Sequence, residues 1–380
     1  MKYSGIFRIG FKLLVNDKPK FSALLIGITF AVFLMVQMLA MFSGILNRAH
    51  STVTNIPAKI WIMDPAVTTP TSSVPLPDYL LDAVRSFDGI KYAVPLFVGG
   101  AQLKLDSGTI QSVNVIGLDD NSLFGRPDLE QGAITDIFAD NSFIVVDDVE
   151  FSKLENPRIG TAFELNDYRG VIVGIAKVNS NGLNGIPTLY TTYNRAIQYI
   201  PSTRFTMSYV LAEAKTEADI PGIKEQVAKF GYVARTDLEF NQYISDYYTY
   251  QTGVGTNILL MTVISFIVCL SISGQTFYTF ILENLDKFGA LKAIGTKGRD
   301  LVYMILFMAT FTALTGYGLG IGLVTLVISI ARYKIPNYAA MITFSTLGFA
   351  FAMVLIIAGV SSYVGVRKVL KIEPFDIFRG

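Results

Sequence analysis

Between Lys20 and Arg48 the chain reads FSALLIGITFAVFLMVQMLAMFSGILN, 27 residues without a charge. A helix that crosses a bilayer needs about 20 apolar residues in succession, so this run holds one span. A cleavable signal peptide has an apolar core of only about 7–15 residues and ends on a small-residue site. The run outlasts that core and has no such site before Arg48, so it reads as a retained signal anchor. Three more runs follow. They hold 36 charge-free residues between Asp246 and Glu283, 31 between Asp300 and Arg332, and 32 between Lys334 and Arg367. Each is long enough for one span and uncomfortable for two. The spans fall at 21–47, 254–282, 301–331 and 339–366.

The composition agrees. Of 380 residues, 51% are hydrophobic and 16% charged, where a soluble chain carries about 25% charged residues. A net charge of +1 gives no basic field to attract nucleic acid. The single cysteine, Cys269, rules out an intramolecular disulfide and a Cys-based zinc site. The single histidine, His50, rules out an H-E-x-x-H metal site. Cys269 reads as a small packing residue inside a span, and His50 as a surface residue beyond the first one. No ionisable side chain lies centrally in any span, which argues against a proton- or ion-coupled carrier. Energy must come from elsewhere.

Charge sets the orientation. Residues 48–250 carry 16 Lys+Arg and 24 Asp+Glu, a net −8. The segments 1–20, 283–300 and 367–380 together carry 13 Lys+Arg against 6 Asp+Glu. Basic residues on short segments beside spans favour the cytoplasmic side. Both termini and the 283–300 loop are therefore placed in the cytoplasm, and 48–250 outside. Arg332 and Lys334, in the short external loop 332–338, are the two charges that dissent.

The outer segment reads as mixed α/β. Lys59–Met63, Ser112–Ile116, Ser142–Val146 and Gly170–Ile175 are short, rich in β-branched residues and bounded by turn residues. Pro77–Phe87 and Asp219–Phe230 read as helices. Asp119-Asp120 and Asp147-Asp148 follow strand-like runs and read as turn residues. Phe240, Ile244, Tyr247 and Gln251 recur at helical spacing. They predict a stalk helix near 237–253 that continues the second span outward, or else a separate surface helix joined at a glycine hinge.

Two further segments stand out. In 283–295, Leu285, Phe288 and Leu291 form an apolar ridge, Glu283 and Lys287 are an i,i+4 pair, and Gly295 suits a helix end. The glycines at 289 and 295 do not make a phosphate loop, because five residues separate them and Thr296 precedes Lys297. The ridge either docks on a partner or lies on the lipid interface. In the third span, Gly316, Gly318, Gly320 and Gly322 form two overlapping G-x-x-x-G pairs, which serve helix packing within one subunit or along a dimer seam.

This layout resembles the FtsX-like permeases, also called MacB-type or type VII ABC transporter permeases. Phe288-Gly-Ala-Leu-Lys-Ala-Ile-Gly295 is similar to the family's E-I-G-x-L-[RK]-A-[IM]-G segment. Ile372-Glu-Pro-Phe-Asp-Ile-Phe-Arg379 is similar to its closing x-x-P-x-[DE]-x-[LF]-R, and Val115-Ile-Gly-Leu-Asp119 to the V-x-G-x-D of its periplasmic core. Leu25–Ala31, Leu34-Met35, Gln37, Thr279–Gly295 and Asp376–Phe378 look most like the DevC branch. Lys287 departs from the pattern, standing where the family has Glu, so the partner would need a compensating acid.

The resemblance implies an α-helical membrane protein with four transmembrane helices and a MacB-core-like α/β domain between the first and second. It implies a homodimeric permease subunit of an ABC-type tripartite export system. That subunit would have no ATPase site of its own and would bind no cofactor. Two copies of a cytoplasmic ATPase would hold the ATP and Mg. The coupling residues would be Leu285, Lys287, Phe288, Gly289, Leu291, Lys292, Ala293 and Gly295. A periplasmic adaptor and a TolC-like channel would complete the assembly, and the cargo would be a lipid, glycolipid or other hydrophobic compound. The alternative is a non-transporting FtsX-like regulator of a periplasmic partner such as a cell-wall enzyme.

Overall fold

The computed structural model describes residues 2–179, 182–183, 185–200, 207–335 and 337–370. In chain order its elements are α1 (Lys2–Asn16), α2 (Lys18–Ala49), α3 (Ser51–Asn55), β1 (Ile60–Met63), α4 (Tyr79–Arg85), β2 (Ile90–Lys104), β3 (Ile110–Leu118), β4 (Asp128–Gly132), β5 (Ser142–Val146), β6 (Ala162–Leu165), β7 (Tyr168–Lys177), β8 (Thr188–Thr192), α5 (Tyr193–Tyr199), β9 (Tyr209–Ala214), α6 (Ile220–Lys229), β10 (Val233–Thr236), α7 (Asp237–Asp246), α8 (Gly253–Glu283), α9 (Leu285–Ala293), α10 (Gly298–Lys334) and α11 (Phe344–Leu370). They divide into two compact units, 1–44 with 254–380, and 45–253.

In the first unit α2, α8, α10 and α11 are long and apolar enough to cross a membrane. α2 and α10 run past both ends of their charge-free runs, because lysine and arginine do not break a helix, whereas α8 and α11 start inside theirs, α11 at Phe344 and not at 339 as expected. Close approach is set by small residues. A Cβ on Gly316 would meet Ile28 at 2.6 Å, and one on Gly320 would meet Val32 at 2.7 Å. These two glycines let α10 lie directly on α2. The N-terminal segment is itself a helix. On α1, Gly10 and Leu14 are buried while Arg8 and Lys12 are exposed, and Phe7 packs tilted on Phe307 and Phe11 edge-on against Phe311 of α10, with ring centroids 4.8 and 5.2 Å apart. Arg332 donates to the carbonyl of Ala340. That hydrogen bond caps the turn after α10 and accounts for one of the two dissenting charges.

The second unit is built on a ten-stranded sheet, with path β10-β1-β9-β2-β3-β8-β5-β7-β4 and β6 beside β2 and β7. The long β2 joins its halves. Ile90–Leu96 pairs with β9, and Phe97–Lys104 with β3. Strand alternation sorts the core onto two faces. On β1, Ile60 and Ile62 face the cluster that holds Leu80 of α4 and Ile223 of α6. Trp61 and Met63 face the opposite cluster with Tyr209, Phe240 and Ile244. On β5, Phe143 and Val145 point one way and Ile144 and Val146 the other. Pro221 sits in the first turn of α6, where its missing N–H costs nothing.

The continuous stalk does not form. After α7 the chain makes one π-helical turn, Tyr247–Gln251, and then Thr252 is extended at φ −91°, ψ 145° before α8 starts. The wide turn and the extended residue break the hydrogen-bond ladder ahead of Gly253, so α7 is a separate helix; the break lies at 247–252 and not at a glycine, and α7 buries Phe240 and Ile244 where a surface helix was the expected alternative.

Candidate functional site

The α9 segment begins at a break. Asn284 is buried; its Nδ2 donates back to the Phe280 carbonyl at 2.7 Å, and its Oδ1 accepts from Lys287 Nζ at 2.7 Å. The expected Glu283–Lys287 pair is therefore absent. Lys287 is taken by Asn284, and Glu283 pairs instead with Lys20 of α2. At the other end Gly295 has φ +101°, and the Gly295 and Thr296 N–H groups close on the Lys292 and Leu291 carbonyls. Only glycine adopts that conformation without strain, and the two bonds are those of a Schellman stop.

The apolar ridge is spent on the chain itself. Phe288 is fully buried in the core of the helix bundle, with Leu285 and Leu291 packed against the same core. Gly289 is also buried. Phe288 and Gly289 therefore cannot be direct contacts for a partner. Lys292 reaches the Leu370 carbonyl at 3.3 Å. What α9 leaves open is the other face and its exit: Asp286, Lys287, Ala290, Ala293 and Gly295, with Ile294 at 83% exposure. Ile294 continues the three-residue spacing of Leu285, Phe288 and Leu291, but α9 ends at Ala293, so that spacing no longer sets which way it faces. Its signal was an apolar residue directly before the terminating glycine.

In the second unit a joint forms where α2 ends. His50 follows α2 and leads into α3, and its Nε2 lies 3.0 Å from Ser245 Oγ on α7. Ala49, Val53 and Ile56 pack in one cluster with Phe240 and Ile244. Thr236 and Glu239 form a capping box that starts α7, with bonds of 2.9 and 3.2 Å. Burial lowers the His50 pKa, partly opposed by a backbone hydrogen bond at Asn241. His50 is thus a tether between the two chain segments that leave this unit, not a plain surface residue. Nothing in the sequence around it pointed to Ser245, which lies 195 residues away.

Residues 259–374 match the family model described as FtsX-like permease C-terminal, and residues 22–230 match the MacB-like periplasmic core domain. The chain belongs to the FtsX-like, MacB-type ABC transporter permeases. The permease is 25% identical over 357 residues to an uncharacterized ABC transporter permease of Mycobacterium tuberculosis, a match that covers 93% of each chain. A Staphylococcus haemolyticus protein named for a hemin transport system permease is 23% identical over 121 residues, 32% of this chain and 34% of its own. The periplasmic region of MacB from Actinobacillus actinomycetemcomitans aligns at 11% identity and TM-score 0.38, covering 50% of the permease and 95% of that chain. The extracellular domain of the noncanonic transporter YknZ from Gram-positive bacteria aligns at 13% identity and TM-score 0.35, covering 47% and 98%. These matches are to the family as a whole, not to its DevC branch. Permeases of this type work with a separate ATPase.

Within the permease the four glycines of α10 divide. Gly316 and Gly320 are filled by α2, while a Cβ on Gly318 or Gly322 would meet nothing within 4 Å. The aspartate pairs are turn residues. Asp119 accepts from Ser122 N and Oγ at 2.9 and 2.8 Å, and Asp148 accepts from Glu150 N at 2.8 Å. The closing motif at 372–379 lies outside the described residues.

Proposed function

We propose that this permease is the membrane subunit of an ATP-driven export machine and that α9 receives the stroke of the ATPase. The observation that supports this is the division of one nine-residue helix. Phe288 is fused to the span core, while Asp286, Ala290 and Ala293 of the helix and Ile294 directly after it are exposed. A push on the free side must then move the spans, because the buried side has no slack. Lys287, Lys292, Lys297 and Arg299 set this loop in the cytoplasm. Both termini lie there too, in a bacterial inner membrane, with 48–250 in the periplasm. The permease works as a homodimer with two ATPase copies, which bind the ATP and Mg; this chain needs no nucleotide site. A periplasmic adaptor and a TolC-like channel carry the cargo onward. The cargo is a lipid, glycolipid or other hydrophobic compound, in keeping with the hemin named for one relative.

The test is co-purification of the tagged full chain from its native host, with mass spectrometry of its partners. Wild type is expected to bring down an ATPase. Ile294→Asp is expected to lower its yield by about ten-fold, or about 1.4 kcal/mol, with an unchanged melting profile. An undiminished ATPase yield would end the α9 reading. A cell-wall hydrolase in place of the adaptor would move the permease to the regulatory branch of its family.

A further inference from the structure

The outer unit holds a cavity of about 150 Å³ under α3. Its floor is three neighbouring strands. Asn114 and Ile116 of β3 stand opposite Thr188 and Tyr190 of β8, and Val146 ends β5 beside them. Ser51, Thr52 and Asn55 of α3 close it from above. Gly100 of β2 also lines it, and a Cβ there would meet nothing within 4 Å. Among the described residues of the wall, Asp148 is the one that carries a charge. Its Oδ1 is held by the Glu150 N–H, and its charge is felt by the buried Tyr190 phenol.

We propose that this cavity is a binding site for a small amine, a protonated nitrogen seated at Asp148 with a compact apolar body against Ile116 and Val146. Size sets the class. A cavity of about 150 Å³ accepts a benzene-sized body. Polarity sets the head. Hydroxyls and an amide from Thr52, Thr188 and Asn114 can share a donor with the carboxylate, and one acid selects a cation over an anion. Burial is costly to the charged form of that acid. Burial, with Glu150 and Asp147 nearby, raises Asp148 to about 6 against the opposing pull of Arg48 and of the Glu150 N–H. A bound ammonium would offset that cost, and its affinity falls as pH drops through about 6 and the carboxyl protonates. An occupant also braces α3, which follows α2 directly after His50. This site does not depend on the ATPase reading.

The test uses the full chain in lipid nanodiscs, with benzylamine as the probe and empty nanodiscs as the blank, read by saturation-transfer NMR. Benzylamine is expected to saturate, and benzyl alcohol, neutral and of the same shape, to bind about ten-fold more weakly. Asp148→Asn removes that difference. Gly100→Leu fills the cavity from β2 and weakens benzylamine by about ten-fold. If that variant does not fold, Thr188→Leu fills the same space from β8. Equal binding of the alcohol overturns the amine. Unchanged binding in a folded cavity-filled variant overturns the site.

Discussion

Two short helices flank α8, and they are anchored by different physics. Both carry an apolar ridge that the sequence displays, Phe240 and Ile244 on α7, Leu285, Phe288 and Leu291 on α9. Both ridges turn inward. On α9 the anchor is apolar contact, backbone capping and hydrogen bonds to neutral oxygens, from Lys287 to Asn284 and from Lys292 to the Leu370 carbonyl. On α7 it is apolar contact plus polar ties: the Thr236–Glu239 box, the His50–Ser245 contact, and the Arg235 guanidinium 3.6 Å over the Tyr243 ring. Periodicity reports that a face is covered. It does not report whether a partner or the chain itself covers it, and that is where the ridge of α9 misleads.

The largest expected effects test the shared half of this comparison. Phe288→Ala and Phe240→Ala should each cost about 3–5 kcal/mol, the range for an emptied Phe site, each melting its own unit first in a detergent thermal scan read by limited proteolysis. Ile294→Ala should stay within about 0.5 kcal/mol of wild type, as an exposed residue does. A large loss at Ile294, or none at Phe288, would reverse the assignment of the two faces of α9. One step smaller is the glycine contrast on α10. Gly316→Ala and Gly320→Ala should cost about 1–3 kcal/mol by overpacking against Ile28 and Val32. Gly318→Ala and Gly322→Ala should be neutral or gain up to about 1 kcal/mol of helix propensity. Equal losses at all four would mean that something fills the open pair in the membrane.

How far the sequence carries differs between the units for the same reason. Four charge-free runs were sufficient to locate α2, α8, α10 and α11, because a bilayer imposes one length on every span. The strands around 60, 114, 144 and 172 were legible through β-branched runs. β2 was not, since Pro95 and the Gly99-Gly100 pair interrupt its pattern, and its two halves serve different neighbours. Nor was α1, whose apolar residues are too few for a span and need α10 to cover them. At the site, Gly295 as a helix stop was legible from local chemistry. The burial of Phe288, the pairing of Lys20 with Glu283 and the reach of His50 to Ser245 were not, because each depends on residues remote in sequence.

The polar anchoring of the outer unit should appear as pH dependence. Asp148 sits at about 6 where an ordinary aspartate is 3.8. Its stabilising neutral form is complete below the ordinary value and is lost as pH rises through the folded one. Asp148→Asn should therefore raise the stability of the outer unit at about pH 7.5 by about 1–2 kcal/mol, allowing for partial exposure. The gain should vanish near about pH 4. A gain of equal size at both ends of the range would mean that shape, not charge, is what the substitution relieves.

His50 should give the smallest effect and the opposite slope. Its pKa is lowered from 6.5 by burial, so the unfolded chain takes up a proton before the folded one does. The stability it contributes is complete above 6.5 and is lost as pH falls through the depressed value. His50→Gln keeps a donor and an acceptor for Ser245 but cannot titrate. It should leave the melting point of the outer unit unchanged at about pH 7.5 and raise it at about pH 5. In wild type the Asp148 and His50 terms run against each other across this range, so the native profile is less steep than the Asp148 term alone. Each single variant should tilt it in its own direction, and the double variant should be level. A His50→Gln profile parallel to wild type would mean that the tether to α7 is held by shape alone, and the polar half of the contrast with α9 would fall.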